Sequence, residues 1–322
     1  MTRVAVAGLG HWGPNLARNF DDLAALTWIC DGSTEQLALF RRRFPQAQAT
    51  EQFEEMLADE TLEAVVIATP VPTHYELAKQ ALEAGKHVLV EKPPAMRAAE
   101  MDELVALAGN RDLVLMPGHL LLYHPGVQKL KELIDGGALG EVLCVYGNRQ
   151  NLGIVRANEN ALWSLGVHDL SVILYLLDEE PVLATAQGRD FLQEGVEDVV
   201  FCYLRFPSGK IAHMHLSWLD PHKMRRLTVV GRDKMAVFDD MELERKVTIY
   251  DKAPWKRAET YGEWQTRSGD IFIPKIATSE PLRLECEHFL RLVDGDGDRE
   301  KVARDGAMVV RALERLTDSL HA

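Results

Sequence analysis

Cysteine is scarce in this chain, and the usual marks of an exported or membrane protein are missing as well. The 322 residues contain four cysteines, Cys30, Cys144, Cys202 and Cys286, and no two of them have CxxC spacing. No run of about 18 apolar residues occurs, and the N-terminus enters a strand-like segment without a basic and apolar leader. Scattered cysteines in apolar segments are typical of a reduced protein. We therefore expect a cytoplasmic location and no membrane partner, and we predict no metal site.

An excess of basic residues is also absent. The chain has 36 Lys and Arg against 49 Asp and Glu, which gives a formal net charge of -13 at pH 7. This balance argues against a nucleic-acid partner, and any anionic substrate must be held by local basic groups. A hydrophobic content of 47% and a charged content of 26% are ordinary for a globular protein, and the length predicts two domains.

Strand-like and helical segments alternate through the first third of the chain. This alternation predicts an α/β domain with a doubly wound parallel sheet over residues 1–122. Its predicted strands lie near 3–8, 26–31, 62–69, 87–91 and 113–118.

The pattern changes in residues 123–322, which we interpret as an α+β domain. Successive strand-like runs without intervening helices predict an antiparallel sheet, with hairpin turns at Ser208-Gly209 and Arg232-Asp233. Residues 253–279 lack clear periodicity and are expected to form an extended excursion or a subunit-contact arm. Two helices are predicted between Pro281 and Leu320, with the alternative that they pack back on the first domain.

A glycine-rich turn follows the first predicted strand and precedes a helix. It reads Gly8-Leu9-Gly10-His11-Trp12-Gly13, and we predict that Gly8, Gly10, His11, Trp12 and Gly13 bind a dinucleotide. The glycines allow a tight bend, a close approach to phosphate and packing of helix on strand, while the helix start offers free N–H groups to the anion.

Asp31 ends the next predicted strand. A carboxylate there would accept hydrogen bonds from ribose hydroxyls and repel a 2'-phosphate, so it favours NAD over NADP as the cofactor. This preference is weakened by nearby residues that could bind a phosphate, which are Ser33, Thr34 and the run from Arg41 to Arg43. The alternative for Asp31 is a helix N-cap.

Two further strand ends carry candidate residues. Thr69 and Pro70 begin a proline-fixed turn that we expect to lie against the cofactor, and His74 is either a cofactor contact or an early-helix residue with no ligand. Lys92 follows the strand 87–91 and precedes two prolines, so its backbone is stiff. Its ammonium could stabilise negative charge on a substrate oxygen; the alternatives are a solvated lysine or a simple partner of Glu91.

The segment Ala161 to Leu177 is apolar almost all round, which predicts a buried helix. Its polar residues recur at spacings of four, three and four, which places them on one stripe that either faces a cavity or joins an internal hydrogen-bond network. They are Ser164, His168, Ser171 and Tyr175. His168 is either a core histidine or a proton acceptor. Asp169 could orient it or could cap locally.

Candidate substrate contacts follow the strand Glu141 to Asn148. Arg149 and Asn151 are two residues apart and are expected on one face, where Arg149 either grips a carboxylate or diphosphate or forms a surface ion pair. His119 and Tyr123 lie at the crossover between the predicted domains. We predict cofactor contacts for Glu91, Lys92, His119 and Trp163, and substrate contacts for Lys92, Tyr123, Arg149, Asn151, Ser164 and His168.

These motifs together resemble the Gfo/Idh/MocA oxidoreductase family, named for glucose-fructose oxidoreductase and inositol dehydrogenase. The resemblance spans nearly the whole chain and is carried by Gly8 to Gly13, Thr69-Pro70, Glu91-Lys92-Pro93 and the helix with His168. Three segments look most like sugar-nucleotide members, such as UDP-N-acetylglucosaminuronate 3-dehydrogenases and ketosugar reductases. They are Gly118 to Pro125, Asn148 to Gly153 and Leu162 to Asp169.

The resemblance implies a Rossmann domain, an open antiparallel sheet with substrate and oligomer contacts, and hydride exchange at a sugar carbon. Lys92 and His168 match the family's lysine and histidine and are the expected catalytic residues. One departure stands out, because the family commonly carries aspartate where this chain has Ser164, and serine is a poor base.

The working hypothesis is an NAD-dependent oxidoreductase that acts on a sugar or sugar nucleotide and forms a homodimer or homotetramer. His168 and Lys92 are expected to converge beside the nicotinamide. One alternative is a free-sugar or inositol dehydrogenase. The other is a catalytically silent NAD-binding sensor or scaffold, which the Ser164 departure favours.

Overall fold

The computed structural model describes residues 2–153, 155–156, 159–256 and 264–321. The chain divides into two compact units. The first unit comprises Met1–Tyr123 and Glu280–Arg311, and the second comprises His124–Ser279 and Ala312–Ala322. Most of the segment 280–322 therefore belongs to the first unit, and its last eleven residues belong to the second.

The first unit is built on a parallel sheet. Its strands are β1 (Val4–Ala7), β2 (Leu26–Cys30), β3 (Gln48–Thr50), β4 (Ala64–Ile67), β5 (His87–Glu91) and β6 (Leu115–Gly118). The intervening helices are α1 (Gly13–Asp22), α2 (Thr34–Arg43), α3 (Phe53–Leu57), α4 (His74–Glu83) and α5 (Ala98–Asn110). The predicted doubly wound parallel sheet is confirmed.

The strand order of this sheet is β3-β2-β1-β4-β5-β6. The chain runs outward from β1 through β2 to β3 and then crosses to β4 on the other side of β1, so the order reverses between β1 and β4. Strands β1 and β4 are apolar and buried at every position, as expected for strands covered on both faces. Ligands of such sheets bind at the carboxyl ends of the strands beside this reversal.

The second unit has α6 (Pro125–Asp135), a π-helical segment (Leu162–Gly166) and α7 (Val167–Leu177) beside a larger sheet. Its strands are β7 (Val142–Gln150), β8 (Leu183–Arg189), β9 (Val199–Arg205), β10 (Ile211–Ser217), β11 (Met224–Gly231), β12 (Met235–Asp239), β13 (Val247–Lys256) and β14 (Trp264–Phe272). Their order is β14-β13-β12-β11-β7-β10-β9-β8.

The second sheet is mixed rather than fully antiparallel. All neighbouring strands are antiparallel except β7 and β10, which pair in parallel. The predicted hairpin between β9 and β10 is confirmed, with Gly209 at a φ of 87° that favours glycine. The expected excursion at 253–279 is wrong in part, because it contains β14, whose residues are mostly exposed and show no alternation. Residues 257–263 of that prediction lie outside the described residues.

The chain ends in α8 (Pro281–Val293) and α9 (Arg299–Leu320), so the two predicted C-terminal helices are confirmed. Helix α8 belongs to the first unit and packs against α1 and the short turn Leu120–Tyr123. Among the residues that the structure describes, no helix is long and apolar enough to cross a membrane.

Candidate active site

The glycine turn lies at the carboxyl end of β1, and its glycines have different surroundings. Gly8 has a φ of 90°, and a Cβ there would lie 2.6 Å from the carbonyl carbon of Ala68 at the end of β4. A Cβ on Gly13 would lie 1.7 Å from the carbonyl oxygen of Gly8. A Cβ on Gly10 would meet no atom within 4 Å. Gly8 and Gly13 therefore allow the turn itself to pack, whereas Gly10 leaves open space for a ligand.

The first turn of α1 presents N–H groups beside this open space. Trp12 is the N-cap residue, and its side chain makes no capping hydrogen bond to the helix. A proline, Pro14, follows within the first turn, where its missing N–H costs nothing. The helix start and the open face of Gly10 fit a pyrophosphate, which accepts hydrogen bonds from such N–H groups. His11 is exposed beside them.

Asp31 connects the glycine turn to the end of β2. Its Oδ2 accepts a hydrogen bond from the Leu9 N–H at 2.6 Å, and its Oδ1 accepts one from the Ser33 N–H at 2.8 Å. The N-cap residue of α2 is Ser33, whose hydroxyl oxygen accepts from the Gln36 N–H. The N-cap alternative for Asp31 is therefore wrong. Because a carboxylate has about four lone-pair sites, Asp31 retains capacity for ribose hydroxyls.

His74 joins two turns at the carboxyl edge of the first sheet. It is the first residue of α4 and is almost fully buried. Its Nδ1 lies 2.8 Å from the Pro93 carbonyl oxygen, and its Nε2 lies 2.7 Å from the Thr69 carbonyl oxygen. Burial lowers the pKa of His74, and the two carbonyl acceptors oppose that shift. Both ring nitrogens contact the protein itself, so His74 positions the Thr69-Pro70 turn and the residues after Lys92.

Lys92 follows β5 and is held between Glu91 and a cis peptide bond to Pro93. The Glu91 carboxylate accepts hydrogen bonds from the Lys92 backbone N–H at 3.2 Å and from the Trp12 side chain. Part of Glu91 remains accessible, yet burial of its carboxyl raises the pKa of Glu91 to about 7, against the opposing charge of Lys92. Lys92 therefore lies beside a carboxyl that changes charge near neutral pH.

His119 follows β6 in the same unit. Its side chain is buried, with 5% of the residue exposed, and its Nε2 has no hydrogen-bond partner among the described residues. Burial, reinforced by the positive charge of Lys92, lowers the pKa of His119 to about 4. The imidazole is therefore neutral at neutral pH, and it can donate or accept a hydrogen bond without adding charge.

Tyr123 lies at the end of the first unit's N-terminal segment and contacts α8. Its hydroxyl lies 2.8 Å from Nδ1 of His288. One turn before His288, Glu285 is 0% exposed and was missed by sequence reasoning. The apolar spacing of α8 could have revealed it, because Glu285 lies on the same helix face as Leu282 and Phe289.

The helical segment with His168 differs from the uniform helix predicted for 161–177. Leu162–Gly166 is π-helical and α7 begins at Val167, so the even stripe of polar residues is interrupted. The Ser171 hydroxyl donates to the His168 carbonyl at 2.9 Å, and the Tyr175 hydroxyl donates to Gln128 at 3.2 Å. These two residues join an internal network rather than a cavity. Ser164 and His168 are each partly exposed.

Arg149 and Asp169 form a buried ion pair in the second unit. Arg149 Nη2 lies 2.7 Å and Nε 2.8 Å from Asp169 Oδ1, with the side chains 8% and 5% exposed. Gly147 on β7 makes room for the other oxygen, since a Cβ there would lie 2.9 Å from Asp169 Oδ2. The surface-pair alternative for Arg149 is wrong because the pair is buried, and Asp169 is committed to Arg149 rather than to a local cap.

Two other predicted residues of the second unit form hydrogen bonds to residues that are distant in the sequence. Asn151 follows β7, and its N–H donates to the Ser217 carbonyl at 3.0 Å. Trp163 is buried, and its indole N–H donates to the Thr317 hydroxyl at 3.0 Å. The only hydrogen-bond donor of the Trp163 side chain therefore already has a partner. The predicted cofactor contact of Trp163 is thus a prediction for its ring alone. Among the described residues, no group of three or more His, Cys, Asp or Glu is arranged to hold a metal ion.

The parallel sheet with its glycine turn and reversed strand order defines a dinucleotide-binding domain, and Lys92 adds a charged group at the same edge. The sequence profile of the oxidoreductase family with an NAD-binding Rossmann fold matches residues 2–119. The Gfo/Idh/MocA C-terminal domain profile matches residues 127–237. The chain belongs to the Gfo/Idh/MocA oxidoreductase family, and NAD is the cofactor of its Rossmann domain.

Proteins similar to this chain include a UDP-N-acetylglucosamine dehydrogenase and an inositol dehydrogenase. UDP-N-acetylglucosamine 3-dehydrogenase from Acidithiobacillus ferrooxidans is 30% identical over 245 residues, which cover 74% of each chain. Its solved structure has a TM-score of 0.84 at 25% identity and covers 99% of this chain and 97% of that one. Myo-inositol 2-dehydrogenase from Thermotoga maritima is 26% identical and covers 88% of this chain and 91% of its own. The structure of GenD2 from gentamicin A biosynthesis in complex with NAD has a TM-score of 0.80 at 27% identity, covering 100% and 95%.

Proposed function

We propose that this protein transfers a hydride between nicotinamide and a carbon of a sugar or sugar nucleotide. The observation that carries the proposal is the contact between three strand-end turns of the first unit. Gly8 lies against Ala68 and Thr69, and His74 joins Thr69 to Pro93 beside Lys92. The turn that fits a pyrophosphate and the candidate catalytic lysine therefore belong to one packed edge.

Lys92 and His168 have complementary proposed roles. The NAD nicotinamide supplies the hydride acceptor or donor. The Lys92 ammonium hydrogen-bonds the substrate oxygen and stabilises negative charge that develops there. The His168 imidazole accepts the hydroxyl proton during oxidation and returns it during reduction.

The remaining residues are proposed to orient the substrate. Tyr123, Asn151 and Ser164 offer hydroxyl or amide groups that suit polyol hydroxyls. Arg149 is bound to Asp169 through Nε and Nη2, so its first role is to shape β7 and α7. A substrate contact by Arg149 would use the part of the guanidinium that Asp169 does not occupy.

The experiment is to measure nicotinamide absorbance for Lys92→Met and His168→Ala on the substrate identified below. We expect each variant to lose about 100-fold or more in kcat/KM, in the range of a lost general acid, base or electrostatic group. The matched control is Lys79→Met, because Lys79 pairs with Glu103 at the surface and should change kcat/KM little. Full activity in both site variants would contradict the proposed roles.

A second candidate, a free-sugar or inositol dehydrogenase, is favoured by the similarity to myo-inositol 2-dehydrogenase. A binding screen that compares UDP-sugars with free polyols in the presence of NAD separates the two substrate classes. Mass spectrometry of ligands retained by the purified protein would identify the sugar directly. Tight NAD binding without turnover on any sugar would instead favour a catalytically silent binding protein, which the serine at position 164 allows.

A further inference from the structure

Glu285 is a buried acid with no hydrogen-bond partner among the described residues. It lies on the apolar face of α8 between Leu282 and Phe289, is 0% exposed, and has both carboxyl oxygens unpartnered. A carboxylate in such surroundings is strongly disfavoured relative to the neutral acid. An aliphatic side chain would pack better at this position. Packing therefore does not explain why the residue is acidic.

The contacts of α8 direct this face toward the edge of the first sheet. One turn after Glu285, His288 bonds the Tyr123 hydroxyl, and Phe289 meets Phe20 of α1 edge-on at 6.2 Å. Helix α8 therefore covers α1 and the Leu120–Tyr123 turn on the side where Glu285 lies. These two elements begin at or beside the residues that surround Glu91.

Glu91 lies beside the ends of two other elements of the same unit. The Trp12 side chain, just before α1, hydrogen-bonds its carboxylate. A Cβ on Gly118, at the end of β6, would lie 3.3 Å from Glu91 Oε1. The next residue after Glu91 is Lys92. Helix α8, which carries Glu285, therefore contacts two elements that begin beside the residues around Glu91.

The electrostatics agree with this geometry. Burial, reinforced by the negative charge of Glu91, raises the pKa of Glu285 well above its ordinary value. Burial raises the pKa of Glu91 only to about 7, because Lys92 opposes the shift. Titratable or charged groups on the surrounding elements include Lys92, His119, Tyr123, Cys286 and His288. Helix α1 carries Arg18, Asp21 and Asp22, and α8 also carries Arg283, Glu287 and Arg291. Arg18 is paired with Glu280, and Arg283 is paired with Glu287.

We propose that Glu285 is a positioning residue that acts through Glu91: it keeps its proton at neutral pH, so that the two carboxyls place at most one negative charge beside Lys92. For its catalytic meaning this inference rests on the proposed function. A second negative charge there would oppose the stabilisation of a negative substrate oxygen by Lys92. An un-ionised Glu285 preserves that stabilisation, while the negative charge of Glu91 balances the positive charge of Lys92.

The first test measures protonation through stability and needs no substrate. A carboxyl whose folded pKa is raised loses stability as pH rises above its unfolded pKa, because the unfolded chain releases the proton and the folded chain keeps it. We expect the Tm of the wild type to fall relative to that of Glu285→Gln between about pH 5 and about pH 8. Glu287→Gln, a surface variant of the same helix, should follow the wild type. Parallel wild-type and Glu285→Gln curves would overturn the proposal.

The second test uses infrared spectroscopy of the wild-type protein with NAD. At about pH 8, where most carboxyls are ionised, a band of a protonated carboxyl should remain, because the Glu285 proton is retained. The band should be lost in Glu285→Gln if that variant folds, and should persist in Glu287→Gln. A wild-type spectrum without the band contradicts the inference even if the variant fails to fold.

The third test links the carboxyl to turnover. In the Glu285→Gln variant the alkaline limb of the pH profile of kcat should move upward by about one unit, whereas in Glu287→Gln it should stay where it is in the wild type. An unmoved alkaline limb would overturn the role through Glu91. If no sugar is turned over, the proposed function fails, whereas the stability and infrared tests still decide the protonation of Glu285.

Discussion

In the first unit, Glu285 and His119 are buried with polar atoms that have no hydrogen-bond partner in the described chain. In the second unit, the buried Arg149 and Asp169 are bonded to each other. The first arrangement keeps groups neutral by moving their pKa values, and the second neutralises charge by pairing it. Buried acids and bases that are kept neutral make the stability of the fold depend on pH, whereas the buried ion pair contributes to stability through its geometry.

This difference teaches which buried polar residues are candidates for chemistry. Groups with displaced pKa values that cluster at a strand edge are typical of functional sites. In the first unit they surround Lys92 at the edge that carries the glycine turn. The Arg149–Asp169 pair has the features of a structural link between β7 and α7, and its removal should be costly to stability.

The largest expected effect is the loss of that pair. Arg149→Met leaves the Asp169 carboxylate buried without its cation, so we expect the free energy of unfolding to fall by about 3–5 kcal/mol. Denaturant unfolding measures the loss. The matched control is Arg232→Met, whose partner Glu141 is 61% exposed, and it should cost at most about 1 kcal/mol. Equal losses in the two variants would erase the contrast between buried and exposed pairs.

A smaller effect separates packing from binding inside the first unit. Gly13→Ala should destabilise the fold by about 2–3 kcal/mol, because the new Cβ would overlap the Gly8 carbonyl oxygen. Gly10→Ala should leave unfolding almost unchanged but weaken NAD binding by about tenfold, which corresponds to about 1.4 kcal/mol, since its Cβ would enter the open ligand space. Thermal unfolding and NADH fluorescence titration measure the two properties. Unchanged NADH affinity in Gly10→Ala would remove that glycine from the cofactor site.

The smallest expected effect is the pH dependence due to His119. Its folded pKa of about 4 lies below the ordinary value of 6.5, so the unfolded chain binds the proton first and stability falls as pH decreases from 6.5 toward 4. His119→Gln should remove about 1 kcal/mol of this loss at about pH 5.5. His11→Gln, at an exposed position, is the control and should not alter the slope. A His119→Gln curve parallel to the wild type would show that this imidazole is not held neutral.

Much of the first unit was predictable from local pattern. Strand β5 was predicted within its observed bounds, and the glycine turn, Asp31 and Lys92 each lie at the strand end that the alternation indicated. Buried parallel strands are short apolar runs, and glycine and proline mark their ends, so the information is contained within a few neighbouring residues. Strand β3 was not predicted because it has only three residues.

The second unit was less predictable. The exposed strand β14 has no alternation, and the parallel pairing of β7 with β10 depends on residues far apart in the chain. The π-helical turn before His168 also has no simple periodic signal. Local periodicity reports which face of an element is buried, but not which partner covers it.

The sequence by itself determined the alternation of strands and helices in the first unit apart from β3, the dinucleotide-binding turn and the family, because these depend on short-range spacing of glycine, proline and apolar residues. Only the tertiary structure decided that Asp169 belongs to Arg149 and that His74 joins two turns. It also decided that Glu285 is buried on a helix far along the chain, where burial and the negative charge of Glu91 raise its pKa. Such pairings arise when packing removes water from groups that are far apart in the chain, and their charge states follow from that shared burial.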